Sequence, residues 1–234
     1  ELKFLAVSKD KTFNEDGIKS PNKPLLLIIN GIHSGEIEGK DASMLLLREI
    51  LITKEKEYLL DSLNILIVPI FSVDAHERTS KFNRINQNGP EEMGWRTTAQ
   101  NYNLNRDWLK ADALEMKYML QLISKWLPDF IVDTHTTDGA DYQYTVTYGV
   151  ETFENIYHKT GDFLNNSFVP FLTSGVEKNN YLIFPYVSLK NWLAGIDSGM
   201  TNNAATPRFS IGYAAIQNRP SLLVETHMMK PYKD

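Results

Sequence analysis

Three short stretches of the chain carry groups able to do chemistry together. "GIHSGE" places His33 and Glu36 three residues apart, "DTH" holds Asp133 and His135, and "VETH" holds Glu225 and His227. An imidazole and a carboxylate at i, i+3 can chelate one ion from a single turn. Two histidines and one glutamate form an established ligand set for a catalytic zinc, which keeps a fourth position open for water. His135 could close such a site from a separate segment. Glu225 could then take a proton from water and pass it to a leaving group. Taken alone, His33-x-x-Glu36 also fits a solvated helix start, where the helix dipole favours an acid. Glu38 competes for the same position, and the i, i+3 spacing favours Glu36. His227 shares a face with Glu225, but a fourth protein ligand would close the site, so a structural or supporting role is expected.

A second group lies in "WRTTAQNYNLNRDW". Arg96 and Arg106 flank Asn103 and Asn105 there. A guanidinium binds carboxylates through a planar fork and can stabilise a developing oxyanion. A solvated basic loop is the plainer reading, but Trp95 and Trp108 point to a packed, ordered segment.

These groups need elements to position them. "KPLLLIINGIH" is a continuous apolar run, the mark of a strand buried on both faces. "EGKDASMLLLREILITK" has helical spacing. "SLNILIVPIF" reads as the next strand, with Pro69 near its end. Residues 74–108 are polar and read as one long loop, a length that in a compact domain usually signals function. "ADALEMKYMLQLISKW" is a helix stopped by Pro128. "DFIVDTH" and "YQYTVTYG" are strands, 151–168 is expected to be helical, and "SLLVETH" is a last buried strand. Residues 170–209, rich in Asn, Gly and Pro, give no clear period. Strands alternating with helices predict an α/β fold: a three-layer α/β/α sandwich on a mixed, mainly parallel sheet. Three apolar strands would then deliver His33 and Glu36, Asp133 and His135, and Glu225 at their carboxyl ends, where sites form in open α/β sheets.

The 234 residues are expected to form one domain, 1–234. With 42% hydrophobic and 23% charged residues the composition is that of a globular protein. A net charge of −5 offers no broad basic footprint for nucleic acid. No apolar stretch reaches the length of a membrane span. The absence of cysteine excludes disulfides, thiolate metal sites and cysteine nucleophiles. A chain opening on Glu1 is expected to be a processed or trimmed form.

In order along the chain, "GIHSGE", "WRTT", "NLNRDW", "DTH" and "LLVETH" resemble the zinc carboxypeptidases of the M14, carboxypeptidase A-like family. The resemblance runs from about residue 24 to 228. It implies a one-zinc metallocarboxypeptidase acting on peptides with a free C-terminal carboxylate. His33, Glu36 and His135 would be the zinc ligands and Glu225 the general base and acid. Arg96 would polarise the scissile carbonyl, and Asn105 with Arg106 would grip the terminal carboxylate. Tyr213 is the nearest match to the family's substrate-capping tyrosine. Asn103 stands where digestive members carry an aspartate that supports a zinc-bound histidine; its carbonyl oxygen could still accept an imidazole N–H, without charge assistance. Family tendency also favours a periplasmic or secreted location. A zinc-dependent N-acyl-amino-acid deacylase, a cell-wall peptide amidase and a non-catalytic peptide-binding domain are the alternatives.

Overall fold

The strand Leu25–Ile29 (β2) shows how the sheet is built. The computed structural model, which describes residues 2–11, 13–19 and 22–231, buries it on both faces. Leu25, Leu27 and Ile29 point to one layer and Ile28 to the other, so an unbroken apolar run replaces the alternation of a half-exposed strand. The other main strands are Leu5–Val7 (β1), Asn64–Val68 (β3), Phe130–Thr136 (β4), Val146–Gly149 (β5) and Ile183–Pro185 (β6). Ser188–Leu189 (β7) and Met200–Thr201 (β8) form a separate hairpin, and Ser221–Thr226 (β9) returns to the main sheet. The seven-stranded sheet has the order β1-β3-β2-β4-β9-β5-β6. The block β3-β2-β4-β9 is parallel, β1 and β5 join it antiparallel, and β6 runs parallel to β5. The sheet is therefore mixed and mainly parallel, as the apolar runs predict.

Helices cover both faces. Glu38–Leu51 (α1) buries Leu47 and Ile50 against Ile28, Ile65 and Ile67. A short helix, Val73–Glu77 (α2), follows β3. Leu114–Trp126 (α3) packs Met116, Met119, Leu122, Ile123 and Trp126 on the opposite face. Leu127, in left-handed conformation at φ 45°, ends it directly before Pro128, because the residue preceding proline avoids helical geometry. His158–Phe163 (α4) continues through a wider turn at 164–168 into Val169–Glu177 (α5). Ser210–Ile216 (α6) precedes β9.

Three expectations need correction. Residues 151–157 are not helical; the helical run begins at His158 and extends to Glu177. Pro170 does not stop it; it stands at the start of α5, directly after the wider turn at 164–168. Residues 74–108 are not uniformly loop: α2 and a tight turn at Leu104–Arg106 lie within them. The stretch 170–209 contains most of α5, β6 and the β7–β8 hairpin. Its strands span only two or three residues, too few to show a period.

Candidate metal centre and active-site cavity

The three chemistry-bearing strands are adjacent. β2 pairs with β4 and β4 with β9, all parallel, so their carboxyl ends lie on one sheet edge. His135 and Glu225 are direct register partners in the β4–β9 ladder. After β2 the chain turns at Gly31, whose φ of +64° is left-handed and suits glycine. The Glu36 N–H then donates to the His33 carbonyl at 3.0 Å, closing the turn that faces both side chains inward. Gly35 serves for another reason. A Cβ there would lie 2.7 Å from Arg84 Cγ and 3.1 Å from the Gly94 carbonyl oxygen, so the position needs space.

His33, Glu36 and His135 are buried, and one ligand atom from each lies within 4.8 Å of the others. His33 Nδ1 is 2.9 Å from Glu36 Oε1, and His135 Nδ1 is 2.9 Å from Glu36 Oε2. Each Nε2 faces outward: that of His33 lies 3.2 Å from Asn103 Oδ1, that of His135 3.0 Å from Asp133 Oδ2. Both imidazoles thus present the same nitrogen to a common centre while an outer acceptor fixes the other. This is how protein-bound metals orient histidine ligands, and the donor set fits one divalent ion. Glu38 is directed elsewhere and accepts from the Thr136 hydroxyl at 2.7 Å.

Electrostatics sharpen the cluster. Burial alone would push the Glu36 carboxyl up, but the charges and hydrogen bonds of His33 and His135 outweigh it and hold the group well below the usual range. Burial lowers His33. For His135 burial is overcome by Asp133 and Glu36, which raise it well above an ordinary histidine. Glu225 behaves oppositely to Glu36. Burial pushes it up to about 8; His135 opposes this, and the like charges of Glu36, Asp133 and Asp138 add to it.

A cavity of about 590 Å³ opens over the cluster, within the range of small-ligand sites. His33, Glu36, His135, Glu225, Arg96, Asn105 and Arg106 all line it. Arg96 Nη1 approaches Glu36 Oε1 at 3.7 Å. The Asn105 N–H donates to Asn103 Oδ1 at 3.0 Å, joining this segment to the His33 partner. Asn105 Oδ1 is buried without a partner. Arg106 lies over the Phe209 ring at 4.5 Å and donates from Nη1 to the Asn105 carbonyl.

Tyr213 is the exception. It does not line the cavity; its ring sits 5.8 Å from Trp108, half-buried against the core. Ile211 of α6 does line the cavity, and two residues along a helix turn a side chain about 200° away. Tyr186 lines the cavity instead, and burial raises its hydroxyl pKa far above the usual range, with the nearby Glu225 charge adding to it. His227 is buried but also outside the cavity, and its Nδ1 accepts from the Met229 N–H. Arg84 went unmarked in the sequence yet lines the cavity and donates from Nη1 to Glu36 Oε1 at 2.6 Å. Neither Arg84 nor Tyr186 stands in a periodic element; a polar, Asn-rich run was the only signal for the first and there was none for the second.

The profile of the Peptidase M14 family, zinc carboxypeptidase, matches residues 1–186, which is most of the chain. The chain belongs to the zinc carboxypeptidase family. The match contains the His33–Glu36–His135 cluster, Arg96, Asn105 and Arg106, and ends before Glu225. No curated protein matches the chain. Among solved structures it resembles a candidate carboxypeptidase A from Shewanella denitrificans, with TM-score 0.70 and 21% identity over 98% of this chain and 52% of that one. It also resembles a metallo-carboxypeptidase from Burkholderia cenocepacia, with TM-score 0.68, 16% identity and 97% and 53% coverage. A metallo-carboxypeptidase from Pseudomonas aeruginosa gives TM-score 0.67, 17% identity and 100% and 53% coverage. The chain spans about half the length of these carboxypeptidase structures, and at such identities the likeness shows the fold.

Proposed function

We propose that the protein is a zinc-dependent carboxypeptidase that removes the C-terminal residue of peptides, with His33, Glu36 and His135 holding the ion. Zinc bound there would supply a Lewis acid that polarises the peptide carbonyl and acidifies water. Glu225 takes the proton from the attacking water and gives it to the departing amine. Its carboxylate forms no side-chain hydrogen bond or ion pair among the described residues, and it faces the cavity as the register partner of His135, placed to accept a proton and return it. Arg96, exposed and beside the cluster, holds the developing oxyanion.

The observation that carries the exopeptidase reading is Arg106. Its guanidinium is half-buried and lines the cavity, and among the described residues it makes no ion pair with an acid. Such a cation is suited to an anion brought by the substrate, and its planar fork matches a carboxylate. Asn105 lines the same cavity, and its side-chain N–H donors complete the grip on the carboxylate. Binding at the terminal carboxylate restricts cleavage to the last bond.

The test compares peptides ending in a free carboxylate with the same peptides ending in an amide. Release of the last residue from the free acids alone, abolished by a zinc chelator and restored by zinc, is expected. Equal cleavage of both sets, or chelator-insensitive cleavage, would sink the reading.

A further inference from the structure

Each candidate ligand is held from outside the cluster, and the holder of Glu36 is a residue that no motif marks. Asn103 holds His33 and Asp133 holds His135. For Glu36, the Thr136 N–H donates to Oε2 at 3.1 Å and Arg84 Nη1 to Oε1 at 2.6 Å. We propose that Arg84 is a positioning residue of the metal site, whose guanidinium fixes the Glu36 carboxylate so that its oxygens face the ion held by the two histidines. The inference rests on the reading that His33, Glu36 and His135 bind metal.

Three observations set Arg84 apart from a chance ion pair. Its side chain is 6% exposed, whereas that of Arg96, which approaches the same oxygen at 3.7 Å, is 44% exposed. A desolvated guanidinium requires a dedicated acid; among the described residues Glu36 is the acid Arg84 pairs with, and Arg84 Nε is buried without a partner. The side chain also has reserved room, because its stem occupies the space that a Cβ on Gly35 would fill. Finally, its loop is anchored to the ends of all three site-bearing strands. Gln87 Nε2 donates to the Gly35 carbonyl after β2, Asn86 Nδ2 to the Asp138 carbonyl after β4, and Asn88 through N–H and Nδ2 to the Met228 and Met229 carbonyls after β9. The loop therefore holds Arg84 in register with the ligands.

The sign of the effect separates positioning from mere proximity. A bare positive charge near a metal site repels a dication, so removing it should tighten binding. A group that orients a ligand does the reverse, and outer partners of metal ligands typically contribute 10- to 100-fold in affinity. The experiment is competition between the protein and a chromophoric chelator for zinc, with the wild type, Arg84→Met and Arg84→Lys. Met keeps the stem over Gly35, and Lys keeps the charge without the fork. A dissociation constant raised about 10- to 100-fold in Arg84→Met is expected, with partial recovery in Arg84→Lys and an altered cobalt(II) visible spectrum in both. If Arg84→Met does not fold, the intermediate affinity and altered spectrum of Arg84→Lys carry the test. Zinc binding unchanged or tighter in the folded variants would overturn the inference while leaving the metal reading intact. A wild type that binds no zinc would overturn the metal reading, and this inference with it.

Discussion

Two walls of the cavity are built in different ways. One is made of strand ends: β2, β4 and β9 present His33, Glu36, His135 and Glu225 from a continuous parallel ladder. The other is the stretch between α2 and α3, which presents Arg84, Arg96, Asn105 and Arg106 with little regular structure. The first wall is positioned by backbone pairing and a buried apolar core. The second is positioned by amides: Asn83, Asn86, Gln87 and Asn88 each donate to main-chain carbonyls. Strand residues are therefore placed cooperatively, whereas each loop residue depends on a few individual bonds. The Asn-rich composition of the loop is its scaffold.

Replacing a group on the strand wall should have the largest effect. Glu225→Gln is expected to lower kcat by roughly 100- to 10,000-fold, the usual contribution of a general acid–base, while zinc content by metal analysis stays at the wild-type level. Activity within a few-fold of wild type would show that the buried carboxylate is not the proton carrier.

The outer partners of the two histidines give a sharper contrast, because one is an acid and the other an amide. Asp133→Asn is expected to weaken zinc binding by about 10- to 100-fold. Asn103→Asp is expected to strengthen it, since a charged acceptor makes the imidazole more basic. Chelator competition reads both, and equal responses in one direction would contradict the assignment of outer partners.

Glu225 also sets a pH dependence in the metal-free protein. Its folded pKa, raised by burial to about 8, exceeds the ordinary value of 4.5 expected on unfolding. The folded state thus binds the proton more tightly, so this contribution to stability is complete below about pH 4.5 and is lost as pH rises through 8. Denaturant melts of metal-free wild type and Glu225→Gln should diverge between pH 5 and 8, with the variant increasingly the more stable, by on the order of a few kcal/mol. Parallel curves would place the carboxylate in water.

The smallest expected effect lies in the loop wall. Gln87→Ala removes the bonds to the Gly35 and Gly89 carbonyls and should destabilise the protein by about 1–3 kcal/mol. Hydrogen exchange should rise across residues 80–94 and stay unchanged in β4 and β9. A uniform rise would mean that the two walls unfold as one unit.

What was legible in the sequence follows the same division. Apolar runs such as "LLLII" and "SLLVE" announce buried strands, and the polar residue closing each run marks the sheet edge where a site gathers. Helices α1 and α3 show because their buried stripes repeat. Arg84 was invisible because its burial comes from long-range amide contacts that leave no local period. Tyr213 was misplaced because distance along the chain said nothing about which side of a two-turn helix faces the cavity. The two-residue strands of the β7–β8 hairpin were too short to read.

The pairing of His135 with Glu225 in the β4–β9 ladder has one more consequence. Side chains alternate between faces along a strand, so the parity of β9 decides what the cavity receives. Leu223 and Glu225 line the cavity, while Val224 and Thr226 line the groove on the other side of the sheet. Inserting or deleting a single residue early in β9 would leave the composition almost untouched, yet it would present a valine or threonine where the carboxylate stands. At this position the protein behaves like a reading frame: what the cavity receives depends on the parity of the strand as well as on the identity of its residues.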